Sequence, residues 1–135
     1  MNCEILTACD DAKDNGDMLT INGAFTRLTI PKTPAVLQQL VIAVRLRFSS
    51  DEDGPHKFHL SLSDLDGKVL GPPAESPFES KTRDGEQYTW LSAVIRVRDI
   101  QIAKSDDYLL SLLIDEQSIA STTLFVIDGS KASTK

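Results

Sequence analysis

Nine residues, "LVIAVRLRF" (Leu40 to Phe48), constrain this chain more than any other stretch. Leu40, Ile42, Val44, Leu46 and Phe48 fall on one face of an extended strand, and Val41, Ala43, Arg45 and Arg47 fall on the other. The same period of two returns at Phe58, Leu60 and Leu62 and again at Leu91, Ala93, Ile95 and Val97, whereas long helical patterns do not occur. Seven to nine short strands separated by turn signals predict an all-β chain. The expected fold is an antiparallel two-sheet β-sandwich with an immunoglobulin-like Greek key.

Along the chain, "NCEILTAC" reads as a first strand with Cys3, Ile5 and Thr7 on one face and Leu6 and Ala8 on the other; "DDAKDNGD" reads as a polar loop. In "LTINGAFTRLTI" the Asn22-Gly23 pair is a strong hairpin signal, but a tight hairpin would scatter apolar residues over both faces. A bulge there sets Leu19, Ile21, Ala24, Thr26, Leu28 and Ile30 on one face, and glycine supplies the φ freedom a bulge needs. A bent strand is therefore expected, with Ile21, Ala24, Leu28 and Ile30 turned to the core. The prolines of "IPKTP" end it. "DLDG" forms a turn into a short strand at Val69-Leu70, and "GPPAESPFESKTRDGEQ" reads as a long, partly extended connection. "YTWLSAVIRVR" is a strand, and residues 100–128 read as two more, joined at Asp115-Glu116. Tyr108, near the start of a late strand, suits a tyrosine corner, its hydroxyl bonding back to upstream backbone. One domain over residues 1–128 and a polar tail over 129–135 follow.

With 135 residues the chain suits one domain, and 41% apolar with 25% charged residues suits a globular protein. The net charge of −6 argues against nucleic acid and anionic membranes as partners. No stretch reaches the ~20 apolar residues of a membrane-spanning helix, and the first residues lack a secretory pattern, so a cytoplasmic location is expected. Cys3 and Cys9 would lie roughly 20 Å apart on an extended strand, too far for a bridge.

Candidate chemistry is sparse. Asp51, Glu52 and Asp53 before Gly54, and Asp64 and Asp66 before Gly67, are weak candidates for calcium ligands, but only if both loops sit at one end of the sandwich. Ordinary turn chemistry explains them better. His56 and His59, three apart on a strand, face opposite ways and are expected at the surface or in a turn. No nucleophile elbow, phosphate loop or zinc motif is present, so no catalytic residues and no cofactor are expected. The outward face of "YTWLSAVIRVR" is more promising: Tyr88, Trp90, Arg96 and Arg98 share it, and Arg45 and Arg47 join them if their strand lies in the same sheet. Aromatics with arginine are typical of interfaces.

The Cys9-Asp10 pair, the Gly23-Ala24-Phe25 run, the Arg45-x-Arg47 strand and the closing "YLLSLLIDEQSIASTTLFV" together resemble an uncharacterised bacterial family of small single-domain proteins, filed as a domain of unknown function. The resemblance implies a β-sandwich in a bacterial cytoplasm and brings no catalytic residues. The expected function is a non-catalytic binding or protein-interaction module with a protein partner or a second copy, self-associating through a sheet face. The alternative is a sandwich taking calcium or carbohydrate at its loop end.

Overall fold

The computed structural model describes residues 1–16 and 18–132. Nine strands run in chain order: β1 (Asn2–Asp14), β2 (Leu19–Phe25), β3 (Arg27–Ile30), β4 (Ala35–Ser49), β5 (Gly54–Ser63), β6 (Ala74–Ser80), β7 (Tyr88–Ile102), β8 (Asp106–Ile114) and β9 (Gln117–Asp128). They form two sheets, ordered β2-β1-β4-β7 and β3-β9-β8-β5-β6. All pairs are antiparallel except β3 with β9, which run parallel. This is an all-β sandwich of two facing sheets. Tyr108 confirms the corner: it is buried and its hydroxyl donates to the Lys104 carbonyl at 2.8 Å.

The inward residues of β4 are the centre of the main core. Leu40, Ile42, Val44, Leu46 and Phe48 pack against Leu60, Leu62, Leu110, Leu112, Ile114 and Leu124 of the facing sheet. Val41 and Ala43 point the other way, as alternation expects, yet are only 3% and 0% exposed. Their cover is the β1–β2 hairpin. β1 leaves β4 after the Cys9–Val41 pair, and its far end pairs with β2 alone. The hairpin folds over the outer face, packing Cys9, Ala12, Leu19 and Ile21 on Val41, Ala43 and Val94 as a second small core.

This hairpin decides the Asn22-Gly23 question. Residues 10–14, expected as a polar loop, are strand, and the reversal lies between Asp14 and Leu19. Asn22-Gly23 is no hairpin; the strand runs through it. Gly23 has φ +64°, and the faces do slip there, since Ile21 joins the small core and Phe25 the main one. The opposite strand slips in the same place, with Ala8 in the main core but Cys9 and Ala12 in the small one. The register therefore stays constant from Ala8–Phe25 to Asp14–Leu19. Two matched slips replace the single bulge. Leu28 and Ile30 pack on the main core as expected, but Ile21 joins the small one and Ala24 is exposed.

Other local expectations change too. A bulge between Cys3 and Ile5 turns Cys3 to the main core beside Leu6 and Ala8, not with Ile5 and Thr7. Within "GPPAESPFESKTRDGEQ" lies β6, paired with β5; as an outermost strand it tolerates Pro77, which lacks a ladder donor. Val69 makes only an isolated bridge with Ser63. β7 continues to Ile102, so Ile100 and Ile102 belong to it and not to the next strand. Asp115 and Glu116, both at positive φ, close the β8–β9 hairpin where a turn was expected. After β9, Gly129–Ala132 is a single helical turn (α1), and the rest of the expected tail lies outside the described residues. No helix among the described residues is long and apolar enough to cross a membrane.

Candidate interaction surface

β4 and β7 are neighbours, so the arginine strand and the aromatic strand share one sheet. Arg47 pairs with Trp90 and Arg45 with Ser92 across the ladder. Period two then sets Arg45, Arg47, Tyr88, Trp90 and Arg96 on the outer face. Tyr88 and Trp90 are 42% and 47% exposed, large values for such rings, so Trp90 is not buried under the proline-rich segment. Their centroids lie 6.4 Å apart, and the Arg47 guanidinium sits 5.0 Å from the Tyr88 centroid as a cation–π contact.

The other arginines divide. Arg45 Nε donates to Glu4 Oε1 at 3.2 Å, and Arg96 donates to Asp11 Oδ1 at 3.2 Å. Both pairs are partly exposed and contribute little to stability. They do organise the surface, because Asp11 belongs to the folded-over hairpin and Glu4 to the β1 bulge. Arg98, opposite Gln39, is exposed but lies about 26 Å along the strand from Trp90 at ~3.3 Å per residue. The open aromatic half and the hairpin-covered half are thus distinct.

Beside Trp90 the surface dips into a shallow cavity of about 320 Å³ lined by Gly16, Arg45, Arg83, Glu86, Trp90 and Ser92. Gly16 comes from the hairpin tip, and Arg83 and Glu86 from the turn before β7. Sequence reading missed these three. The only signal was "TRDGE", a turn next to the aromatic strand.

The acidic loops do not converge. Asp51 and Asp53 precede β5 and Asp64 and Asp66 follow it, roughly 33 Å apart on a ten-residue strand. Asp53 Oδ1 accepts from the Thr82 amide and hydroxyl at 2.9 and 2.7 Å, and Asp64 Oδ1 accepts from the Asp66 and Lys68 amides. Asp64 caps its own turn, and Asp53 ties the loop before β5 to the segment after β6. Among the described residues no group of three His, Cys, Asp or Glu is placed to share a metal ion.

The histidines do face opposite ways, but His56 is not a surface residue. It shares the inward parity of Phe58, its side chain is 11% exposed, and its ring forms a three-ring cluster with Phe48 and Phe78, at 5.2 and 5.5 Å from them. Nδ1 lies 2.6 Å from Asp115 Oδ2 and Nε2 2.6 Å from the Glu52 carbonyl. Both partners are acceptors, so the imidazolium, protonated on both ring nitrogens, is the form that can donate to both. Burial opposes that charge, but the bonds to Asp115 and Glu52 outweigh it and raise the pKa above its ordinary value. His59 meets Glu75 at 2.6 Å, and Lys57 meets the same carboxylate at 3.3 Å; these two hold Glu75 below the usual range.

Asp128 is a further polar centre that sequence reading passed over. It is 2% exposed and accepts from the amides and hydroxyls of Thr33 and Ser130, at 2.5 to 2.9 Å. Hydroxyl and amide donors from Ser130 and Thr33 hold its carboxyl well below the usual range. It clips the segment before β4 to the end of β9.

A search of curated proteins found no match. Among solved structures, an immunoglobulin-like protein from Pseudomonas aeruginosa is similar at 10% identity with a TM-score of 0.41, covering 90% of this chain and 91% of that one. The model of a family of unknown function, DUF6941, matches residues 4–127, from the first strand to the last. The chain belongs to the DUF6941 family.

Proposed function

We propose that this protein is a non-catalytic protein-interaction module of the bacterial cytoplasm, binding through the outer face of its four-stranded sheet and able to self-associate there. One observation carries the reading: two adjacent aromatics, Tyr88 and Trp90, stay 42% and 47% exposed in a chain that has a full core elsewhere, with Arg47 stacked on one of them. Tyr, Trp and Arg are the residues that dominate interface energetics, because each combines a large apolar area with a polar handle. The rest of the polar inventory serves the fold. His56, Asp53, Asp64 and Asp128 each spend their polar atoms on strand, turn or linker backbone. Cys3 and Cys9 are free thiols, in keeping with a reducing compartment.

The acidic loops lie at opposite ends of β5, which weighs against the calcium version of the alternative. The test is light scattering across a concentration series with Trp90 fluorescence recorded alongside, this being the single tryptophan. Association at high micromolar concentration with a blue-shifted emission is expected. A monomer whose emission never changes would sink self-association through this face.

A further inference from the structure

β7 is one of the two edge strands of its sheet, β2 being the other, and is hydrogen-bonded to β4 alone. Its other side offers the unpaired N–H and C=O groups that invite another strand. Proteins usually blunt such an edge with proline, inserted charge or shortness. β6, the outermost strand of the facing sheet, has these devices: seven residues carrying Pro77, Glu75 and Glu79. β7 has fifteen residues and no proline; its charges, Arg96, Arg98 and Asp99, lie in its second half, and Tyr88 to Ile95 carries none.

The sequence of β7 also selects its occupant. Its regular part runs from Tyr88 to Arg98 and ends at Asp99, whose φ of +56° interrupts the strand. The midpoint of that part is Ala93. Laid antiparallel on a second copy about Ala93, Tyr88 meets Arg98 and Trp90 meets Arg96 on the outer face. On the inner face Leu91 meets Ile95, Thr89 meets Val97, and Ala93 meets itself. Ser92 meets Val94 on the outer face; aromatic faces cation, Leu91 faces Ile95, and no arginine opposes an arginine. A one-residue slip would set inward residues against outward ones, and a two-residue slip leaves Tyr88 or Arg98 without a regular partner.

We propose that β7 pairs antiparallel with β7 of a second copy of this chain, Ala93 lying on the two-fold axis and the two four-stranded sheets becoming one. This rests on the interaction reading above and names its partner and register. Directly opposed residues of an antiparallel pair lie about 4.5–5.5 Å apart at Cα, within the ~7 Å that a disulfide spans. Ala93→Cys should therefore cross-link to a covalent dimer under mild oxidation, beyond the baseline of the wild type with Cys3 and Cys9. Gln101→Cys, on the same strand but about 50 Å from its copy at ~3.3 Å per residue, should not. Hydrogen exchange of the wild type gives a second reading that needs no variant: alternate amides between Thr89 and Val97 gain protection as concentration rises. A dimer that neither cross-links at 93 nor protects these amides overturns edge pairing while leaving the interaction face intact. A chain that stays monomeric at high micromolar concentration overturns self-association altogether and leaves the edge to a strand of another protein.

Discussion

β6 and β7 are the outermost strands of facing sheets, and they are built on opposite principles. β6 is short, carries Pro77, and is held to β5 largely by polar and aromatic contacts: Phe78 against the His56 ring, and Glu75 against His59 and Lys57. β7 is twice as long, bonds to β4 along its whole length, and shows Tyr88 and Trp90 to solvent. One edge is short and carries proline; the other is long, carries none, and is free of charge from Tyr88 to Ile95. An open edge in a folded protein is either a hazard or an interface, and the self-complementary order of β7 favours the interface.

Several changes would break or sharpen that contrast. The largest effect is expected from Phe78→Ala, which removes the one large apolar anchor of β6, packed on Phe48, Phe58 and His56. A loss of about 3 kcal/mol in chemical denaturation is expected, with β6 amides exchanging first. At the opposite side of the sandwich, Gly23→Val should cost about 2 kcal/mol. A β-branched residue resists φ +64°, and its Cβ would lie 2.5 Å from the Asp10 carboxylate tip. Urea melts that match the wild type would refute this. Trp90→Lys places a like charge opposite Arg96 twice in the proposed dimer. Association should weaken roughly tenfold in sedimentation measurements while the melting temperature holds.

The next effect is one of pH. The His56 pKa is raised in the folded state, so its contribution is fully present below the unfolded value of ~6.5 and is lost as pH rises through the folded value. Asp115, hydrogen-bonded by His56 and the Lys57 amide, is lowered; its contribution holds above ~3.9 and fades as pH falls through its folded value. Raising pH from 5.5 to 8 should therefore lower the protection factors of β6 amides, taken relative to the base-catalysed intrinsic exchange rate, and leave those of β7 unchanged. His56→Gln should abolish the difference; equal responses of the two strands would remove the contrast. The smallest effect is Pro77→Ala, within about 0.5 kcal/mol in stability because the site is exposed. It restores an edge donor, so it should raise association measurably if Pro77 guards that edge.

The contrast also shows how far sequence reading reaches. β4 was legible because its alternation is strict and its inward residues are large, so only one register buries them together. Tyr108 was legible because a tyrosine corner is a local device, satisfied four residues upstream. β6 was not legible: Pro77 and polar residues weaken its pattern, and its partner β5 supplies the register. His56 sits beside loop residues in the sequence, and only the approach of Asp115, 59 residues on, gives its inward ring a carboxylate partner.

The sequence by itself determined an all-β sandwich, the faces of β4 and β7, and the grouping of Tyr88, Trp90 and Arg96 on one side. These follow from side-chain period and from the burial of large apolar groups, which act locally along each strand. Only the tertiary structure decided that the β1–β2 hairpin folds over Val41 and Ala43, that the acidic loops part to opposite ends of β5, and that Arg45 and Arg47 join the aromatic face. Each depends on which strands become neighbours. That choice is made by the summed packing of distant segments, and no single stretch of the chain carries it.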